Sequence, residues 1–181
     1  MKLSARQKKK TVLRTVRISE ELDAILEKDA KSQRISVNAL ISSIMAKYAE
    51  WDRFTGRFGH ISIPTTLFRA FLDLTDENAL ATVAERFGVE LTKQMISFWF
   101  KKISIETLLQ FASIACEYAK VGEVEIQKED RDYTITIYHE YGKKWSTFLA
   151  RYIDKAWRTY GKVIPQFDCT ENTVTYRFQA P

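Results

Sequence analysis

Residues 11–18, TVLRTVRI, alternate with a period of two and are rich in β-branched side chains, the pattern of a strand. Val12, Arg14, Val16 and Ile18 fall on one face, and Thr11, Leu13, Thr15 and Arg17 on the other. The period then changes. Ser19 stands where an N-cap belongs, with Glu20 and Glu21 in the first turn and Leu22, Ile25, Leu26 and Ala30 at helical spacing. A polar break, Lys31-Ser32-Gln33-Arg34, leads to a second cap at Ser36 and a longer stripe of Leu40, Ile41, Ile44, Met45, Tyr48 and Trp51. The order is strand, helix, helix. One short strand and two helices offer too little area to close a core, so the unit calls for a second chain that pairs strands antiparallel.

Residues 51–59, with two glycines in the last four positions, read as a linker or helix end. Helices are predicted over 65–74, 76–87 with Thr75 as N-cap and Gly88 past the end, 90–101, and 104–120 with Ser104 as N-cap. Strands are predicted over 123–128 and 133–139, then a helix over 144–160 and strands over 162–168 and 173–179. The fold class is therefore α+β: an arm over 1–10, a strand-helix-helix module over 11–57, and over 58–181 an α+β domain of helices followed by a β-β-α-β-β segment.

Charge sharpens this division. Residues 1–57 hold 13 Lys/Arg against 7 Asp/Glu, and residues 58–181 hold 15 against 16, so the excess of the +5 chain lies at one end. The first 18 residues carry Lys2, Arg6, Lys8, Lys9, Lys10, Arg14 and Arg17 and no acid, an end that attracts a polyanion. No apolar run reaches the ~20 residues of a membrane span, and the basic start leads into no apolar signal segment. Two cysteines, Cys116 and Cys169, are too few for a disulfide scaffold and fit a reducing, cytoplasmic setting.

The stretches TVRISEELDAIL and SVNALISSIMAKY, with this spacing between strand end and caps, resemble the ribbon-helix-helix repressors of the Arc, MetJ and CopG type. The resemblance implies a homodimer whose paired strands enter the major groove of double-stranded DNA. By position, Leu13, Thr15 and Arg17 would face the bases, with Arg17 able to grip guanine through both arms. The helix start Ser36-Val37-Asn38 would hold a phosphate, and Lys8, Lys9 and Lys10 would neutralise phosphates without reading sequence. Two residues depart from the pattern: Arg34 stands where the turn usually has glycine, and Arg14 falls on the strand face meant for the helices.

Nothing in the sequence suggests an enzyme, a metal or a cofactor. His60 and His139 lie far apart, and no phosphate-binding loop, nucleophile elbow or paired-cysteine motif occurs. The second half is instead dense in aromatics. Trp145, Phe148 and Tyr152 share a helical face and Trp157 follows, which suggests a core, a small-molecule effector pocket or a subunit interface. The expected function is a transcriptional regulator with a C-terminal sensing or assembly domain; the alternative is an autoregulating antitoxin of a toxin–antitoxin pair.

Overall fold

The structure is a computed structural model that describes residues 12–181. The chain divides into two compact units, Met1–Tyr48 and Ala49–Pro181.

In the first unit Val12 to Ser19 carries no regular secondary structure, because a strand is defined by a partner and none pairs with this segment among the described residues. Ser19 caps α1 (Glu20–Ser32) as expected, its hydroxyl accepting the Leu22 N–H at 3.2 Å. The end of α1 closes in a Schellman arrangement: Ile35 N–H reaches the Ala30 carbonyl at 3.0 Å and Arg34 N–H the Lys31 carbonyl at 3.1 Å. Arg34 adopts φ 56°, so the turn keeps the left-handed geometry that favours glycine without having one. Ser36 then caps α2 (Val37–Lys47) through the Ala39 N–H.

A π-helical turn (Tyr48–Asp52) and the short α3 (Arg53–Thr55) follow. The stretch predicted as a linker is packed. Trp51 is buried and lies 5.8 Å from Trp99, while Phe54 and Phe58 lie 4.9 and 5.4 Å from the same ring. The Trp99 indole N–H also donates to the Glu50 carbonyl at 2.9 Å. These aromatics draw the start of the second unit back to Ala49, earlier than the boundary predicted after residue 57.

After α4 (Thr65–Leu74), a single helix α5 (Glu77–Phe100) replaces the two that were predicted. Gly88 does not end a helix. A Cβ placed there would lie 2.5 Å from the Tyr152 carbonyl oxygen, so glycine is what lets α5 approach α7 (Lys143–Ala156). Thr75 is not the cap either: its hydroxyl bonds back to the Phe71 carbonyl, and Asp76 caps α5 through the Asn78 and Ala79 N–H groups. Helix α6 (Ile105–Ala119) starts at the predicted Ser104, in a reciprocal capping box with Thr107.

Strands β1 (Glu123–Glu129), β2 (Asp132–Tyr138), β3 (Gln166–Cys169) and β4 (Thr173–Gln179) form one antiparallel sheet in the order β1-β2-β4-β3. A π-helical turn (Trp157–Gly161) after α7 takes up residues predicted to be helix. The four residues 162–165 stay outside β3, which is shorter than predicted. Alternation sends Tyr133, Ile135, Ile137, Val174, Tyr176 and Phe178 to one face of the sheet, where they meet Ile96, Leu108, Cys116, Leu149, Ile153 and Trp157 from α5, α6 and the α7 region. The other face is polar, with Thr136 and Thr175 hydroxyls 3.1 Å apart across β2 and β4. The second unit is thus a two-layer α+β fold with one core.

Gly88→Ala is expected to destabilise the protein by roughly 1–3 kcal/mol in urea melts, the usual cost of overpacking. Gly56→Ala, where nothing lies within 4 Å, is the control and is expected to be neutral.

Candidate nucleic-acid interface

Leu13, Thr15 and Arg17 are all exposed, Leu13 at 90%. Val12, Val16 and Ile18, predicted to face the helices, are also exposed in the single chain, at 70%, 67% and 43%. Arg14 is exposed with them. Lys8, Lys9 and Lys10 lie outside the described residues.

The two helix starts of this unit differ in charge. The first turn of α1 holds Glu20, Glu21 and Asp23, which meet the positive end of the helix dipole with carboxylates. The first turn of α2 holds no acid. Ser36 and Asn38 are exposed there, Val37 is half-buried, and Arg34 precedes them. Of the two, the α2 start is the one whose backbone N–H groups and dipole remain open to an anion.

Apolar surface is the other property of the unit. Among its described residues only Ala30 is buried, while Leu22, Ile25, Ile35, Ile44, Met45 and Tyr48 are exposed. Leu26, Leu40 and Ile41 are only half-buried. Such a surface is that of an incomplete core.

In the second unit the aromatic residues singled out from the sequence separate into two groups. Trp145 and Phe148 stack at 4.9 Å, Phe148 and Tyr152 at 6.1 Å, and Phe68 of α4 closes edge-on against Trp145 at 5.2 Å. Trp157 is buried instead in the main core, 4.3 Å from Phe178. Tyr152 and Trp157 line a small apolar cavity; Trp145 and Phe148 do not. The aromatic face therefore supplies packing on both sides of α7, and Trp157 offers no surface to a partner.

Two residues that sequence reasoning left aside are tightly placed. His139 is buried, its Nε2 lies 2.9 Å from the Ser146 Oγ, and its Nδ1 accepts the Tyr141 N–H at 3.3 Å. Ser146 spends its own hydrogen on the Glu171 carbonyl, so His139 Nε2 is the donor in that pair and Nδ1 must stay unprotonated. Cys116 is also buried, and desolvation pushes its thiol up to about 12, which makes it a packing residue without thiolate character. Among the described residues no group of His, Cys, Asp and Glu is placed to hold a metal ion. No helix there is long and apolar enough to cross a membrane.

Residues 7–45 match the HicB family, a match that spans α1 and ends inside α2. No curated protein matches the chain.

Burial holds the His139 pKa below its ordinary 6.5. As pH falls below about 6.5 the unfolded chain takes up a proton that the folded chain refuses, so stability is complete above that pH and falls toward the depressed folded pKa. His139→Gln is expected to flatten this acid-side loss in urea melts at pH 7, 6 and 5. An unchanged slope would mean that His139 protonates freely in the fold.

Proposed function

We propose that this protein binds double-stranded DNA as a homodimer through its N-terminal unit, and that it is the autoregulating antitoxin of a toxin–antitoxin pair. The HicB match over residues 7–45 carries this reading, since that family is antitoxin-related. The local structure supports it: two Ser-capped helices joined by a left-handed turn, an exposed segment before them bearing Thr15 and Arg17, and a second helix start free of acids.

In this reading the segments before α1 from two chains pair as a ribbon. Val12, Val16 and Ile18 turn toward the helices, and Leu13, Thr15 and Arg17 toward the major groove. Arg17 reads guanine, Thr15 makes a smaller polar or methyl contact, and Leu13 makes an apolar one. Ser36, Val37 and Asn38 hold a phosphate beside the ribbon, and Lys8, Lys9 and Lys10 add a sequence-blind attraction. No catalytic step is involved.

A second reading keeps the DNA chemistry and makes the protein a transcriptional regulator with a sensing domain. The folded unit Ala49–Pro181 favours it, because a toxin-neutralising tail needs no core of its own. A toxin partner separates the two: coexpression should relieve its toxicity in the first reading and leave it unchanged in the second.

The DNA-binding step is tested by selecting bound sequences from random duplexes. On the selected site Arg17→Ala is expected to cost roughly 1–3 kcal/mol, with little effect on random DNA. Equal losses on both would make Arg17 a phosphate contact. Failure to enrich any sequence would remove site-specific binding.

A further inference from the structure

Protein interiors hold few voids larger than a water molecule. The second unit holds an apolar pocket of about 100 Å³, partly open to solvent, between α5, α6, α7 and the sheet. A water in the liquid takes about 30 Å³, so this is room for a molecule and not a packing defect of one methyl group.

The wall is built from small and apolar side chains. Ala112 and Ala115 of α6 and Ala156 of α7 line it where longer aliphatic residues would close it, together with Ile96, Leu149 and Ile153. Thr92, Tyr152 and Tyr176 are the hydroxyl-bearing residues of the wall, and the Thr92 hydroxyl donates to the Tyr152 oxygen at 2.8 Å. The Thr92 hydrogen is spent in that pair, which leaves the Tyr152 hydroxyl hydrogen as its donor. An engineered apolar cavity of ~150 Å³ takes up benzene or xenon, so space of this size and lining suits a small apolar molecule.

An open groove of about 940 Å³ runs beside the sheet end, lined by Tyr138, His139, Tyr141 and Glu117. Cys116 lines both this groove and the cavity. Because its thiol is held neutral, the residue the two share adds no charge to either.

We infer that the cavity beside Cys116, bounded by Thr92, Ala112, Ala115, Tyr152 and Ala156, is a binding site for one small apolar molecule no larger than a single unsubstituted ring. Shape and polarity set the class. Charged or strongly hydrogen-bonding compounds would lose water and find few partners beyond a tyrosine hydroxyl, whereas a small hydrocarbon gains contact with the mostly apolar wall. The site lies entirely within the second unit and does not depend on DNA binding.

The test uses the full-length protein labelled at Ile and Leu methyl groups, titrated with benzene and observed by NMR. Saturable shifts are expected at Ile96, Leu149 and Ile153, with methyls far from the cavity unmoved. Ala115→Leu fills the space and is expected to weaken the response by more than about tenfold while the thermal melt stays cooperative. If that variant fails to fold, Ala112→Val fills less and is expected to weaken binding in the same direction. Absence of saturable shifts in the wild-type protein would make the cavity an empty void only. An undiminished response in a folded cavity-filling variant would place benzene elsewhere. Either result overturns the assignment.

Discussion

Two helices of 13 and 11 residues cannot cover each other's apolar stripes. In the first unit Leu26, Leu40 and Ile41 are no more than half-buried, and Leu22, Ile25, Ile44, Met45 and Tyr48 are left in water. Good caps do not change this, because each contributes only ~1 kcal/mol and none buries a side chain. Val12, Val16 and Ile18 face the same problem, with backbone groups that lack a ladder. A second copy of the unit offers all of these a partner at once: strand to strand for the backbone, and helix pair to helix pair for the side chains. The proposed DNA contacts depend on it, since only a paired ribbon fixes which of Leu13, Thr15 and Arg17 face outward.

The second unit has no such need. Its sheet sends six side chains from β2 and β4 into one core with α5, α6 and α7, and α5 comes close to α7 where Gly88 passes the Tyr152 carbonyl. Contacts along the same crossing hold it: Thr92 to Tyr152, Glu85 to Lys155 at 3.2 Å, and the Tyr160 hydroxyl to the Val89 carbonyl at 2.9 Å. Lys144 adds a different fastening, donating to the Asp73 and Thr75 carbonyls at the end of α4. Small residues at this crossing bring the helices together, and small residues nearby on α6 and α7 leave a cavity beside Cys116. Close packing and deliberate space come from the same residue types, separated only by what lies opposite.

That ambiguity explains what the sequence revealed and what it hid. Ser19, Ser36 and Ser104 were legible as caps because the chemistry is local: an acceptor oxygen meets an N–H two or three residues on. β2 and β4 were legible because period-2 alternation needs only one buried face. Gly88 was misread as a terminus because a glycine that admits a neighbouring helix looks the same in sequence as one that ends its own. Thr75 and Asp76 are both competent caps, and only the Thr75 bond to Phe71 decides between them. Residues 51–59 combine glycines with Trp51, Phe54 and Phe58, and the rings win because Trp99 is there to receive them. Of the residues proposed to face DNA, the helix start at Ser36 is fixed within one chain, whereas Thr15 and Arg17 would take their orientation from a partner strand. The aromatic face of α7 looked like one surface, yet the turn of the helix sends Trp157 to the sheet and Trp145 to Phe68.

Completion of the first unit's core by a second copy is the step on which the proposed DNA contacts rest. Sedimentation equilibrium of the full-length protein at micromolar concentration, beside Val16→Asp, measures this directly. The expected result is a dimer for the natural chain and a monomer for the variant, because a carboxylate on that strand face would be buried without a partner. A monomeric natural chain with α1 and α2 formed, or a dimer that Val16→Asp leaves intact, would contradict it.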